Sequence, residues 1–458
     1  MTKQIRIANG AGFWGDNLDA PRLSAESGGL DYLTLEYLAE LTMSILAHQK
    51  HKNPDAGFVT DFPIVVESLI PALKSQPNLK IVTNAGGMNP ASCARAVSKI
   101  LSTAGLDDLS VAVVTGDDLL PKLDEHLASG ESFTNMETGK PLEEIRNRVV
   151  SANAYLGAGG IVEALEQGAR IVITGRVADA SLVVGPAVHE FGWDWNDWQR
   201  LAAASVAGHL IECGAQVTGG MYSDWNETIP LADVGYPVAE LSETGSVVIT
   251  KPDGTGGSVI IGTLSEQLVY EIGDPAHYLT PDVDVDFTHI QLEQIDNDRV
   301  RVSGAQGNPA PESYKVSLAY SDGFMVSGTL VIIGPNAVGK AEECAKIIFE
   351  RVRRAGYEPA RTNVECLGAG GALPGIVPQS ENAREVVLRI SAHDPSKEAV
   401  ERLSRELVPL VTSGPPGVTG YTGARPKPHP VLAYWPTTID TSRVSPQVTV
   451  QSVKEWTS

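Results

Sequence analysis

A histidine and a glutamate lie three residues apart in the segment 208–220, and this spacing places His209 and Glu212 on one face of a helix. A carboxylate raises the pKa of a neighbouring imidazole and fixes its tautomer, so the pair could act as a general acid and base. Two potential ligands are too few to indicate a metal site. The alternative is structural: the helix dipole favours His209, and Gly214 ends the helix. Both interpretations stay open at this point.

Cys213 shares the face of His209 and is a candidate nucleophile. A lone cysteine beside alanine and isoleucine is more typical of a small core residue. We therefore favour a packing role for Cys213.

Turns rich in Gly and Asn follow four apolar runs in the first half of the chain, at residues 9–16, 84–90, 115–118 and 174–179. In a parallel sheet all four would lie at the carboxyl ends of strands, where open α/β sheets bind ligands. Tight βα turns also use Gly and Asn for structural reasons. Because polar side chains accompany the glycines, we expect at least two of the turns to line a ligand site.

This expectation assigns roles to individual residues. Arg176 would pair with a substrate anion, and Asp179 is a second candidate for proton transfer. The stretch 153–160 precedes a predicted helix, so its N–H groups could hold a carboxylate or phosphate. The predicted substrate-binding residues are Asn9, Gly10, Gly12, Asp16, Asn84, Gly86, Gly87, Asn89, Tyr155 and Gly175.

Two segments resemble nucleotide-binding motifs without completing them. Residues 10–15 match G-x-G-x-x-G, but Asp16, Asn17 and Pro21 continue the loop, and the next helix is predicted to begin near residue 29. Residues 334–340 resemble a phosphate-binding P-loop, but Ala341 replaces the hydroxyl that would hold Mg²⁺. We therefore expect neither NAD nor flavin nor ATP, and no other cofactor or metal.

Composition limits the partners. The chain has 458 residues, with 35 Lys plus Arg and 56 Asp plus Glu, a formal net charge of −21. This acidity disfavours nucleic acid and anionic membranes. Four cysteines lie far apart without a C-x-x-C spacing, which favours neither a disulfide framework nor a zinc site. With no apparent secretion signal or apolar run of ~18 residues, we expect a cytoplasmic protein.

Strand and helix patterns alternate over residues 1–225. The predicted strands are 5–8, 79–83, 109–115 and 169–174, and the predicted helices are 30–49, 65–73, 91–104, 160–168 and 201–213. Strands without polar alternation are buried on both faces, as in a parallel sheet between helices. The pattern predicts a doubly wound α/β domain with a mostly parallel sheet.

Residues 226–458 predict an α+β second domain. The predicted β-runs are 246–250, 258–262, 267–272, 287–292, 299–303, 314–320, 325–333, 362–367 and 385–390, and the predicted helices are 341–355 and 395–408. The Gly- and Pro-rich tail from residue 413 is predicted to be a loop. Its cations Arg425, Lys427 and His429 could dock an acidic group, but a solvated segment is the favoured interpretation.

Five segments in order resemble the acyclic terpene utilisation (AtuA-like) family, over roughly residues 4–370. They are IANGAGFWGD, LDYLTLEYLAELTMSIL, VTNAGGMNP, ITGRVADASLVVGPAVHEFGW and GHLIECGAQVTGG. The tail GARPKPHPVLAYWP is also similar to the end of such a domain. The resemblance implies catabolism of citronellol- and geraniol-type terpenes through CoA thioesters, and it assigns no catalytic residues.

The leading hypothesis is an enzyme that performs non-redox acid–base chemistry, such as hydration, dehydration or a lyase step. Its substrate would be a small branched carboxylate or its acyl-CoA thioester, held at the carboxyl edge of the sheet. We expect a homo-oligomer. Because no catalytic motif is complete, the alternative is a non-catalytic subunit that depends on a partner, possibly a small one, within a catabolic enzyme complex.

Overall fold

A computed structural model describes residues 3–380, 382–419 and 425–458. Its contacts divide into two units: the larger runs to Ala319 and resumes at Tyr434–Ser458, and the smaller is Tyr320–Ala433. The sequence-based boundary between residues 225 and 226 falls within the larger unit, because strands on both sides of it belong to one sheet. Residues 420–424 of the predicted tail lie outside the described part.

The larger unit contains most of the strands and helices. Its strands are β1 (Gln4–Asn9), β2 (Tyr32–Leu35), β3 (Lys80–Thr83), β4 (Ser110–Thr115), β5 (Val149–Ala154), β6 (Ile171–Thr174), β7 (Val238–Ser242), β8 (Val247–Thr250), β9 (Tyr278–Leu279), β10 (Asp284–Asp286), β11 (Gln291–Asp296), β12 (Arg299–Ser303) and β13 (Gln306–Asn308). Its helices are α1 (Ala20–Glu26), α2 (Glu40–Lys52), α3 (Asp61–Ser75), α4 (Pro90–Thr103), α5 (Leu123–Ala128), α6 (Gly159–Glu166), α7 (Ser181–Phe191), α8 (Trp198–Ile211) and α9 (Ile261–Val269).

The remaining elements follow in chain order. They are β14 (Ser313–Ile333), α10 (Ala337–Arg354), β15 (Arg361–Leu367), β16 (Glu385–Asp394), α11 (Lys397–Leu407), α12 (Leu410–Ser413), β17 (Val418–Thr419), β18 (His429–Asp440), β19 (Gln447–Ser452) and α13 (Val453–Thr457). β14 begins in the larger unit and ends in the smaller one. β18 begins in the smaller unit and ends in the larger one.

The main sheet of the larger unit is mixed. Among the described residues it has ten strands, in the order β11-β12-β8-β7-β1-β2-β3-β6-β4-β19. The five neighbours β1, β2, β3, β6 and β4 are parallel, whereas β7 and β19 flank them as antiparallel strands. The chain is therefore a mixed α/β protein, and the turns after β1, β3, β4 and β6 leave the sheet at one edge.

Burial explains the parallel strands. Every residue of β2 and β6 is buried, which fits strands in the middle of a sheet. Leu33, Leu35, Ile81 and Ile171 belong to one apolar core, and each such side chain contributes roughly 1.5–3 kcal/mol when buried. The four turns are thus anchored on a rigid support.

The predicted helix over residues 30–49 is wrong in its first half. Tyr32–Leu35 is β2, which pairs with β1 on one side and β3 on the other, and the helix α2 begins only at Glu40. The spacing of leucines in this stretch fits a helix and a buried strand equally well, and pairing in the sheet decides between them.

Three further predictions of local structure are wrong. The helix α1 begins at Ala20 rather than near residue 29, with Pro21 in its first turn. The runs 258–262 and 267–272 are not strands, because Thr263 helps to start α9 there. The tail is not all loop, since β18 occupies His429–Asp440.

The smaller unit is built on an antiparallel sheet. β16 pairs with β14 and with β15, and Leu330, Ile348, Leu388 and Leu403 share its core. The P-loop-like segment lies here, and Lys340 Nζ donates to the backbone oxygen of Ile333 at 3.1 Å. None of the helices in the described part of the chain combines the length and apolar character that a membrane crossing requires.

We expect Gly86→Ala to destabilise the larger unit by about 1–3 kcal/mol, because overpacking at a rigid contact forces the backbone to move. A Cβ at this position would lie 2.5 Å from the backbone oxygen of Thr174, at the end of β6. Urea denaturation measures the change. The control is Gly159→Ala, where a Cβ would meet no atom within 4 Å. Equal stability of the two variants would contradict this account.

Candidate active site

A cavity of about 770 Å³ opens in the larger unit, within the size range of small-molecule sites. Gly12 and Asp16 line it from the turn after β1, and Arg176 and Asp179 line it from the turn after β6. Two of the four turns therefore reach this cavity. His209, Glu212 and Tyr155 line it as well.

His209 is held on both ring nitrogens. The last turn of α8 places the ring so that Nδ1 lies 3.1 Å from Glu212 Oε1, while Nε2 lies 2.9 Å from the backbone oxygen of Gln267. The side chain is 2% exposed, and the rings of Tyr278 and Phe287 pack against it at 5.5 and 5.6 Å between centroids. The sequence spacing correctly brings His209 and Glu212 together.

The contact with Gln267 decides where the protons lie. A backbone carbonyl only accepts hydrogen bonds, so Nε2 must carry a proton. The hydrogen bond between Nδ1 and Glu212 then contains one more proton, which belongs to imidazolium or to carboxylic acid. Because both ring nitrogens are occupied, His209 has no free nitrogen for a ligand.

Glu212 lines the cavity together with His209. Its side chain is 14% exposed, whereas its Oε2 atom is buried and has no hydrogen-bond partner among the described residues. Burial raises the pKa of Glu212 to about 7, against the opposing effect of His209. Although burial opposes it, the hydrogen bond to Glu212 raises the pKa of His209. A carboxyl poised near neutral pH suits proton transfer.

The last residue of β1 and the turn after it fix the end of α8. Asn9 Nδ2 donates to the backbone oxygens of Ile211 and Glu212, at 2.7 and 2.8 Å. These carbonyls at the end of a helix otherwise lack partners. Gly12 lies so close that a Cβ would be 2.6 Å from the carbonyl carbon of Cys213. Asn9 is therefore a positioning residue, buried at 1% exposure and outside the lining of the cavity.

Arg176 lies on the cavity wall at 2% exposure. Its Nη1 atom donates to the backbone oxygen of Leu38 and lies 3.1 Å from Asp179 Oδ1 and 3.8 Å from Glu36 Oε1. The guanidinium carbon is 4.0 Å from the centroid of the Tyr155 ring, a cation–π contact. Arg176 thus fixes Asp179 and Tyr155 in place.

Sequence reasoning missed four charged residues of the cavity lining, which are Glu36, Glu40, Glu271 and Lys315. Glu36 Oε1 accepts from the Asn84 side chain, and burial together with the charge of Asp179 raises the pKa of Glu36. Glu40 accepts from Tyr155 Oη at 2.7 Å and from Lys315 Nζ at 3.1 Å. Although burial opposes them, these partners lower the pKa of Glu40 to about 2.

The remaining predicted residues have other positions. Asp16 accepts from the Gly12 N–H at 2.8 Å and from the Tyr236 hydroxyl. Gly87 and Asn89 line a second cavity of about 830 Å³, where Asn89 also caps α4. Neither cavity is lined by Gly10, Asn84, Gly86 or Gly175.

Close packing within the chain explains two of these glycines. A Cβ on Gly10 would lie 2.9 Å from Pro21 Cα, and one on Gly175 would lie 2.3 Å from Asp117 Oδ1. Glycines of the G-x-G-x-x-G sequence thus serve chain packing. The burial of Cys213 raises the pKa of its thiol, which disfavours the nucleophilic thiolate.

The described part of the chain comprises residues 3–380, 382–419 and 425–458. There, no group of three or more His, Cys, Asp or Glu side chains is arranged to hold a metal ion.

Fold and cavity together define a mixed α/β protein with a buried His–Glu pair beside one edge of its sheet. A family model described as acyclic terpene utilisation family protein AtuA matches residues 5–450. The chain therefore belongs to the acyclic terpene utilisation family, as the resemblance predicted, and this membership fits a role in acyclic terpene catabolism. Comparison with curated proteins and with solved structures gave no match.

The shared proton makes stability depend on pH. Unfolded glutamate and histidine release their protons near pH 4.3 and 6.5, whereas burial raises the pKa of Glu212 to about 7 in the folded chain and the pKa of His209 is also raised. The folded state then binds more protons, so its stabilisation is lost as pH rises between about 5 and 8.

We expect the stability advantage of the wild type over Glu212→Gln to fall by about 1–3 kcal/mol over this pH range. Urea denaturation at each pH measures the free energy of unfolding of both proteins. Subtracting the value of the variant from that of the wild type cancels the contributions of the other titrating groups. An advantage that is constant, or that grows with pH, would contradict the shared proton.

Proposed function

We propose that the larger unit is an enzyme of acyclic terpene catabolism that performs non-redox acid–base chemistry on a branched acyl substrate. Hydration, dehydration or a related lyase step is the reaction class. The observation that carries this proposal is Glu212, a residue of the cavity lining whose carboxyl has a pKa near neutrality and one buried oxygen without a hydrogen-bond partner among the described residues.

In the dehydration direction, the Glu212 carboxylate takes the proton from the carbon next to the acyl carbonyl. The electrons of that C–H bond form the double bond, the C–O bond to the substrate hydroxyl breaks, and the hydroxyl leaves as water with the proton that Glu212 returns. Hydration runs these steps in reverse. No electrons leave the substrate, so the step requires no redox cofactor.

The other residues position and tune this carboxyl. His209 holds Glu212 Oε1, which leaves Oε2, buried and without a partner among the described residues, as the oxygen assigned to proton transfer. Asp179, held by Arg176, is the second carboxyl that could move a proton. Apolar side chains such as Leu38, Met221 and Leu279 also line the cavity and suit a branched hydrocarbon chain.

Glu212→Gln should reduce kcat by ~10²–10⁴, the range of general acid–base catalysis, because the amide cannot take the proton. Gain or loss of one water by a branched acyl thioester, followed by mass spectrometry, provides the assay. The matched control is Glu67→Gln, the same change at an exposed position of α3. If Glu212→Gln is as active as Glu67→Gln, Glu212 does not have the proposed role in proton transfer.

His209→Gln tests the positioning role through the pH profile. The hydrogen bond and charge of His209 lower the pKa of Glu212 against burial, so their loss should move that pKa higher. The rise of the dehydration rate with pH should then shift to higher pH, in addition to a loss of rate. A profile that keeps its shape while only its height changes would indicate a purely structural histidine.

The same assay tests the expected independence from cofactors and partners. Dialysed enzyme should keep its rate without added NAD, flavin or ATP. An absolute need for one of them would overturn the assignment of the reaction class. A chain that is active only with a second polypeptide would instead support the alternative of a partner-dependent subunit.

A further inference from the structure

The charged groups of the 770 Å³ cavity are predominantly acidic. Its lining includes six carboxyl side chains, Asp16, Glu36, Glu40, Asp179, Glu212 and Glu271. Among the described residues of the lining, Arg176 and Lys315 are the permanently cationic side chains. What the cavity accepts therefore depends on whether either cation is available to a ligand.

Arg176 has little surface to offer. Its side chain is 2% exposed, and Nη1 already faces the Leu38 carbonyl oxygen and the carboxylate of Asp179. One face of the guanidinium is covered by the Tyr155 ring. The Nε atom of Arg176 has no hydrogen-bond partner among the described residues but is buried, and an incoming anion would lie close to the carboxylate of Asp179, which is 3.1 Å from Nη1.

Lys315 is also engaged. Its Nζ atom lies 3.1 Å from Glu40 Oε1 and 5.9 Å from the centroid of the Tyr434 ring. Nζ is also 4.9 Å from the centroid of the Tyr155 ring. Because the pKa of Glu40 is about 2, its carboxylate stays ionised at neutral pH. Its negative charge then offsets the positive charge of Lys315.

We propose that the ligand group within this cavity is uncharged, such as a thioester carbonyl or a hydroxyl on a branched apolar chain, and that the cavity rejects a free carboxylate. Both cations are matched by carboxylates, and like charges brought together in an interface are strongly unfavourable. The choice of a branched acyl chain rests on the proposed function, whereas the preference for an uncharged head group rests on the wall charges alone. Of the two substrate forms expected from sequence, this favours the thioester over the free acid.

The test compares three ligands that share one branched acyclic chain and differ only in the head group: carboxylate, primary amide and N-acetylcysteamine thioester. Isothermal titration calorimetry at pH 8, where the acid is ionised, gives their affinities for the full chain. We expect the amide and the thioester to bind about ten-fold tighter than the carboxylate, or more. A carboxylate that binds as tightly as the amide overturns the proposal, and so does an absence of binding by all three.

Glu40→Gln tests the physical cause. The glutamine oxygen still accepts from Tyr155, but the charge that matches Lys315 is gone, so the amide-to-carboxylate preference should fall about ten-fold. Glu67→Gln, with the same charge change at an exposed site, should leave the preference unaltered.

Lys315→Met supplies an independent check. A selective loss of carboxylate affinity in this variant would show that Lys315 binds anions and would overturn the proposal. These outcomes are separate from the reaction, because they measure binding. If the chain prefers uncharged ligands but Glu212→Gln leaves its activity unchanged, the inference on the ligand is supported and the proposed role of Glu212 in the reaction is contradicted.

Discussion

The hydrogen bond from His209 to the backbone oxygen of Gln267 determines the chemistry of the cavity. That oxygen can only accept, so it fixes a proton on Nε2 and directs Nδ1 toward Glu212. The Gln267 side chain returns a hydrogen bond to the backbone oxygen of His209 at 3.1 Å, which ties α8 to α9. One carboxyl oxygen of Glu212 is thereby engaged, and the other is buried without a partner among the described residues.

The parallel sheet supplies the second half of this arrangement, because it brings the turn after β1 to the end of α8. Asn9 lies at the last position of β1 and satisfies two helix-terminal carbonyls that would otherwise be buried without partners. One of these carbonyls belongs to Glu212, so the backbone of the acidic residue is anchored to the middle of the sheet. The neighbouring turn after β6 holds Asp179 through Arg176 in a comparable way. Buried charges on both walls are thus paired, as burial away from water requires.

The sequence allowed some of this to be predicted and not the rest, for physical reasons. The three-residue spacing of His209 and Glu212 is enough to predict their contact, because residues three apart on a helix lie on the same face. Glu36 and Glu40 were missed since the leucine pattern around Tyr32–Leu35 has no unique period, and only pairing with β1 and β3 makes it a strand. The acceptor on Gln267 is a backbone atom, which leaves no trace in residue identity, and its helix was mistaken for a strand. Lys315 lies far along the chain from Glu40, and only the tertiary fold joins them.

The glycines show how a correct pattern can carry a different function from the expected one. Their abundance at the edge of the sheet suggested room for the phosphates or carboxylate of a ligand. In the folded chain, Gly12 admits the backbone of Cys213, Gly86 admits the oxygen of Thr174, and Gly175 admits the carboxylate of Asp117. Each absent Cβ therefore brings two parts of the chain together rather than a ligand to the chain. This close approach lets a helix end reach the sheet edge, and the polar contacts of the cavity come from the side chains that such packing holds in place.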